Sequence, residues 1–143
     1  MRNDRMTTEA NDLVSAINLA RTEAVTRAAP VSVCASSDGT SCSADTGWNK
    51  GWIVFLDYGT PGTLTDADGD KVLRVWAKID PQDSITTTST YLQFAPAGTA
   101  TDGTANFSNT TFTLKPSGCT SDQMRVVEVM AMGRTDSQRK TCS

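Results

Sequence analysis

The chain has no histidine in 143 residues. That absence removes Ser-His-Asp and Cys-His arrangements, together with the side chain most often used as a general base. The sequence also lacks a G-x-S-x-G segment, a P-loop and a dinucleotide-binding fingerprint. Its carboxylates cluster in loops, where solvated surface is the expected role, so no enzyme is expected and no cofactor is implied. No apolar run reaches the length of a membrane span, and no secretory leader is visible. A basic excess is missing too. Thirteen Lys and Arg face sixteen Asp and Glu, for a net charge of −3. Nucleic-acid or anionic-membrane binding would therefore need a local basic patch rather than a global field.

What is present fits a folded domain. Hydrophobic residues make up 38% and charged residues 20%, a globular rather than a disordered composition. The length suits one domain, residues 1–143, large enough for its own core. Four cysteines stand in two local pairs. Cys34 and Cys42 flank a stretch rich in Ser, Asp and Gly, and Cys119 and Cys142 bracket the C-terminal segment. Three pairings are open to four cysteines, and locality favours Cys34 with Cys42 and Cys119 with Cys142. A zinc site made by all four is disfavoured, because there is no C-x-x-C spacing and no histidine partner. Disulfides imply an oxidising compartment such as a periplasm or cell surface.

Residues 3–27 carry a helical period. Met6, Ala10, Leu13, Ile17, Ala20 and Ala24 recur in steps of four and three, marking one face of a helix roughly 35 Å long. Leu19 and Val25 would widen that face. Arg5, Glu9, Asp12, Arg21, Thr22 and Arg27 fall mostly off it. The pattern begins so close to Met1 that the helix reads as the second part of a longer one. Pro30 ends it. Beyond, the period shortens to that of strands: 31–34, 52–56, 72–78, 84–88, 91–94, 107–114 and 124–132, separated by Gly- and Pro-containing loops. The runs 52–56 and 124–132 are apolar on both sides and are expected to be buried on both faces. The expected fold is α+β, with one long N-terminal amphipathic helix (1–29) packed on antiparallel sheet within a β-rich head (30–143).

Two segments invite a ligand. Asp66, Asp68 and Asp70 place three carboxylates around Gly69, a chemistry suited to calcium. Glycine falls at the fourth position, however, and no bidentate glutamate follows at the EF-hand distance. A hairpin loop is the favoured reading. At the C-terminus, Arg134, Arg139 and Lys140 could contact phosphates if held on an ordered surface. Asp136 lies among them, Asp122 and Glu128 are near in sequence, and no aromatic side chain is interleaved to stack a base. A solvated, polar chain end is favoured there.

Several segments together resemble the GspH/FimT family of type IV pilin-like proteins. These are Leu19-Ala20-Arg21-Thr22-Glu23-Ala24-Val25, Val31-Ser32-Val33-Cys34, and Gly51-Trp52-Ile53-Val54-Phe55-Leu56-Asp57. Weaker matches follow in family order: Leu73-Arg74, Leu92-Gln93-Phe94 with Pro96 and Gly98, and Val126 to Arg134. Within the family, the paired cysteines and C-terminal staple look most like the FimU and FimT branch of minor pilins. The resemblance implies a structural subunit whose partners are other minor pilins and the major pilin. It also implies an upstream hydrophobic half-helix that holds the subunit in the inner membrane, with the head in the periplasm and later at the pilus tip. Two alternatives share the fold: a type II secretion pseudopilin, and a DNA receptor used in natural transformation. DNA-binding members are marked by Gly-Arg-x-Arg near the C-terminus. Here Gly133-Arg134-Thr135-Asp136 puts aspartate in place of the second arginine, which counts against DNA.

Overall fold

A computed structural model describes residues 2–142; Met1, and with it the expected backward continuation of the helix, lies outside the described residues. Helix α1 spans Arg2–Arg27, about 39 Å of helix. It stops where Ala28 turns to a positive φ of 53° and the Ala29 N–H reaches back to the Ala24 carbonyl at 3.2 Å. That left-handed cap satisfies one of the helix's orphan carbonyls.

Nine strands follow among the described residues: β1 (Val31–Ala35), β2 (Trp52–Leu56), β3 (Lys71–Trp76), β4 (Asp83–Thr86), β5 (Tyr91–Phe94), β6 (Ala100–Thr101), β7 (Asn109–Pro116), β8 (Met124–Met130) and β9 (Thr135–Lys140). They form two antiparallel sheets. The first has the order β3-β2-β1-β5-β6 and the second β4-β7-β8-β9. Sequence patterning located seven of these strands and missed β6 and β9. The segment read as a solvated chain end is in fact β9, which pairs with β8 from Met124↔Lys140 to Val129↔Thr135.

The helix does not rest on a single sheet face. It contacts β1, β2 and β5 of the first sheet and β7, β8 and β9 of the second. Met6, Leu13 and Ile17 are fully buried along this seam, and each contributes about 1.5–3 kcal/mol of apolar burial. Ala10, Ala16, Ala20 and Ala24 are buried beside them. Side chains that small let the helix backbone sit close to both sheets at once. Val33, Val54, Leu92 and Phe94 of the first sheet and Ile85, Phe112, Leu114, Val127 and Val129 of the second share one core with the helix. Trp48, which belongs to no strand, fills the same core. Its ring stands edge-on to Phe112 at 4.8 Å, and its indole N–H donates to the Ser89 carbonyl at 3.1 Å.

Three expectations are corrected. Val25 does not widen the buried face; it is 52% exposed. Glu9, placed off that face by the helical period, is buried at 6%. β8 is buried on one side only: Arg125, Val127 and Val129 point inward, while Met124, Val126, Glu128 and Met130 are half-covered. Among the described residues no layer covers the second sheet on that outward side. The first sheet differs. Its far face carries Cys34, Ile53 and Phe55, flanked within the sheet by Val72 and Tyr91 and packed against by Cys42 and Leu64 from the loops, in a smaller second core. That is why β2 is buried on both faces.

Candidate functional site

The two cysteine pairs sit at opposite kinds of position. Cys34, on β1, is joined to Cys42 with Cα atoms 5.7 Å apart, closing the loop that follows β1. Within that loop Asp38 accepts from the Thr40 and Ser41 N–H groups at 2.9 Å each and from the Ser41 hydroxyl at 2.8 Å. These donors, Thr40 first, hold its carboxyl well below the usual carboxylate range. Cys119 is joined to Cys142 with Cα atoms 5.8 Å apart. This closure, with the Cys142 N–H donating to the Ser121 carbonyl at 2.8 Å, fastens the strand β9 that precedes it.

The acidic loop is organised by its own backbone. Asp66 and Asp68 lie on a short 3-10 turn ended by Gly69 at φ +89°. Asp70 is buried and turned inward, accepting the Tyr58 N–H at 2.7 Å on one oxygen and the Thr65 N–H at 3.0 Å on the other. Among the described residues no three acidic or cysteine side chains converge so as to hold a metal ion. Asp70 thus gives each of its oxygens to a loop N–H, while Asp66 and Asp68 stand on the neighbouring turn.

Asp57, at the start of the same loop, is 1% exposed. One of its oxygens accepts from the Ser32 hydroxyl at 2.6 Å and the Gly62 N–H at 2.8 Å; the other has no partner. Burial pushes its carboxyl above the ordinary value, with the charge of Asp70 adding to the effect. The loop is thereby pinned over the far face of the first sheet. Gly62 permits this approach: at φ +79° it lies so near the Tyr91 ring that any Cβ would enter it.

The C-terminal basic residues are ordered but not free. Arg134 lies 3.5 Å from Asp136, and Arg139 lies 3.6 Å from Asp122. Lys140 lines a surface cleft with Glu128 and Asp136. Strand pairing explains the mixture, since Glu128↔Asp136 and Met124↔Lys140 are cross-strand neighbours. The structure thus places Arg139 and Lys140 on β9 and Arg134 just before it, and brings acids with them.

Two polar contacts that the sequence pattern did not reveal flank the helix. On one side Arg5 donates to both Asp83 oxygens, at 2.6 and 2.8 Å, with Asp80 3.8 Å away and Glu9 buried one helical turn on. On the other side the largely buried Arg125 donates to the Thr7 hydroxyl at 3.2 Å and to the Asp122 and Met124 carbonyls at 3.0 and 3.2 Å. The available signal was the Arg5–Glu9 spacing of four, which puts both on one flank of the helix.

Residues 9–133 match the family model described as Type II transport protein GspH. The chain belongs to the GspH family. Among solved structures it is similar to the type IV minor pilin FimU of Pseudomonas aeruginosa in two crystal forms. One gives a TM-score of 0.71 at 20% identity over 94% of this chain and 89% of that one. The other gives 0.68 at 21%, over 92% and 91%. It is also similar to the minor pseudopilin EpsH of the Vibrio cholerae type 2 secretion system, with TM-score 0.64 and 11% identity over 94% of this chain and 97% of that one. Comparison with curated proteins returns no match. The fold is therefore the pilin-like α+β arrangement, and members of this family are structural pilins and pseudopilins rather than enzymes. They are membrane-anchored periplasmic or pilus components. Among the described residues no helix is long and apolar enough to cross a membrane.

Proposed function

We propose that this GspH-family chain is a minor pilin of a type IV pilus, a non-catalytic subunit that helps form the tip or priming complex on which the filament assembles. The observation that carries this reading is its likeness to FimU over nearly the whole of both chains. The two disulfides fit a head exposed to oxidising surroundings. On this reading residues 1–143 act as one unit, anchored in the inner membrane through a hydrophobic segment ahead of α1 and later displayed at the pilus tip. Its partners are other minor pilins and the major pilin, engaged through surfaces rather than a pocket.

The second reading, a pseudopilin of a type II secretion system, is favoured by the description of the family itself and by the likeness to EpsH. DNA binding through Arg134, Arg139 and Lys140 is not favoured, because each basic side chain has an acid beside it. Deleting the gene and measuring surface pili alongside secreted-enzyme levels separates the readings. Loss of pili with normal secretion supports the pilus assignment. Normal pili with failed secretion overturns it.

A further inference from the structure

We propose that β3, the open edge of the first sheet, docks an extended acidic segment of a partner protein by strand addition. The proposal rests on the reading that partners are met through surfaces, and it holds for pilus and secretion roles alike. Backbone, charge and an exposed apolar side chain carry it together.

β3 ends the sheet order and pairs only with β2. Among the described residues no other group hydrogen-bonds to 71–76. Alternate residues of such an edge aim their N–H and C=O groups away from the sheet, a template for another strand.

The edge is also basic, in a chain of net charge −3. Lys71, Arg74 and Lys78 are exposed along it, and exposed Lys50 shares a groove of about 300 Å³ with Val75, Trp76 and Lys78. Among the described residues none of these four cations forms an ion pair, whereas Arg5, Arg27, Arg134 and Arg139 each face an acid. One acid, Asp38, lines the same groove, with its oxygens turned to the Thr40 and Ser41 donors of its own loop. Asp70, beside Lys71 in the chain, gives its oxygens to the Tyr58 and Thr65 N–H groups.

A bulge aims the charge. Val54 pairs with Arg74 and Phe55 with Val72, so Leu73 is an extra residue. Lys71 and Arg74, three positions apart, would otherwise point to opposite faces. With the bulge both stand on the face of Val54 and Leu56, and the Arg74 guanidinium lies 4.9 Å from the Trp76 ring. Val75, opposite Ile53 on the other face, is 51% exposed.

Lysine on a sheet edge deters unwanted pairing. Here it rejects a second copy of β3, whose like charges would meet across the ladder. A strand with acids on one face and apolar residues on the other meets the opposite condition. Its backbone completes the ladder, its carboxylates face Lys71 and Arg74, and its apolar side covers Val75.

The test titrates the full chain with a synthetic peptide, as long as segment 71–78, in which glutamate and valine alternate. Amide chemical shifts and hydrogen exchange are followed at low and high salt. Binding should shift and protect the β3 amides first, and high salt should weaken it roughly tenfold. K71E/R74E/K78E should lose roughly tenfold or more in affinity and prefer the lysine–valine counterpart. No binding of millimolar peptide at low salt, or shifts centred away from β3, overturns the proposal. Equal binding of a peptide N-methylated at alternate residues also overturns it, because charge without a ladder would then suffice. Tighter binding of duplex DNA at β3 overturns it in favour of a nucleic-acid surface. If the triple variant fails to fold, the parent protein decides: preference for the glutamate–valine over the lysine–valine peptide supports the docking edge, and equal affinity overturns it. The pilus assignment is read separately, by the gene deletion, and stands or falls without these outcomes.

Discussion

Removing the Cys119–Cys142 staple with C119S/C142S should destabilise the protein more than removing Cys34–Cys42 with C34S/C42S. The magnitude follows from loop size. The pairs are 23 and 8 residues apart. The chain-entropy relation gives about 3.5 kcal/mol for the longer closure and about 2.5 kcal/mol for the shorter, through the freedom each denies the unfolded chain. The native state adds a second reason. β9 has four consecutive exposed residues at its end, so it buries little of its own. It is held by its ladder to β8, the Cys142–Ser121 backbone bond, the exposed Arg139–Asp122 pair and the staple. An exposed ion pair contributes under about 1 kcal/mol. Urea denaturation read by tryptophan fluorescence, with hydrogen exchange on β9, measures both effects. C119S/C142S should lose about 3 kcal/mol and most β9 protection, while C34S/C42S leaves β9 protected. A loss below about 1 kcal/mol with β9 still protected refutes the reasoning, as does a larger loss from the shorter loop.

Three further outcomes are expected. Ile17→Ala, at a fully buried position, should cost about 3 kcal/mol in urea denaturation, and exposed Val25→Ala should stay within about 0.5 kcal/mol; similar losses at both sites would contradict the assignment of the helix face. Asp70→Ala strips the Tyr58 and Thr65 N–H groups of their acceptor and should cost about 1–3 kcal/mol. Millimolar calcium or a chelator should leave the parent Tm unchanged, whereas a rise with calcium would restore a cation-binding role to the acidic loop.

The parts legible in the sequence were those whose period reports burial directly. The steps from Met6 to Ala24 located the helix seam, and the unbroken run 52–56 marked a strand covered on both sides. β9 was missed because Asp136, Gln138, Arg139 and Lys140 carry no apolar alternation; ladder bonds and a covalent closure hold this edge strand instead. Two-residue β6 is too short to show a period. Glu9 was misplaced because periodicity treats a carboxylate as a surface residue, and nothing local reveals an Arg5–Asp83 pair made across 78 positions. Asp70 was read as one of three equivalent carboxylates, whereas its neighbours' N–H groups single it out. Trp48 carries no pattern either: it reaches the core from a loop tied to Ile85 by a 2.8 Å backbone bond.

The polar contacts on the two flanks of α1 also have a mechanical meaning. Arg5 grips β4 and Thr7 receives Arg125 from β8, two residues apart along the helix and on opposite sides of it. A pull along the helix axis would load both grips in parallel, together with the buried side chains between them, instead of peeling them away one by one. Tension entering at the first turns would thus spread across the second sheet before it reached the slender cap at Ala28. The joint is built to bear shear.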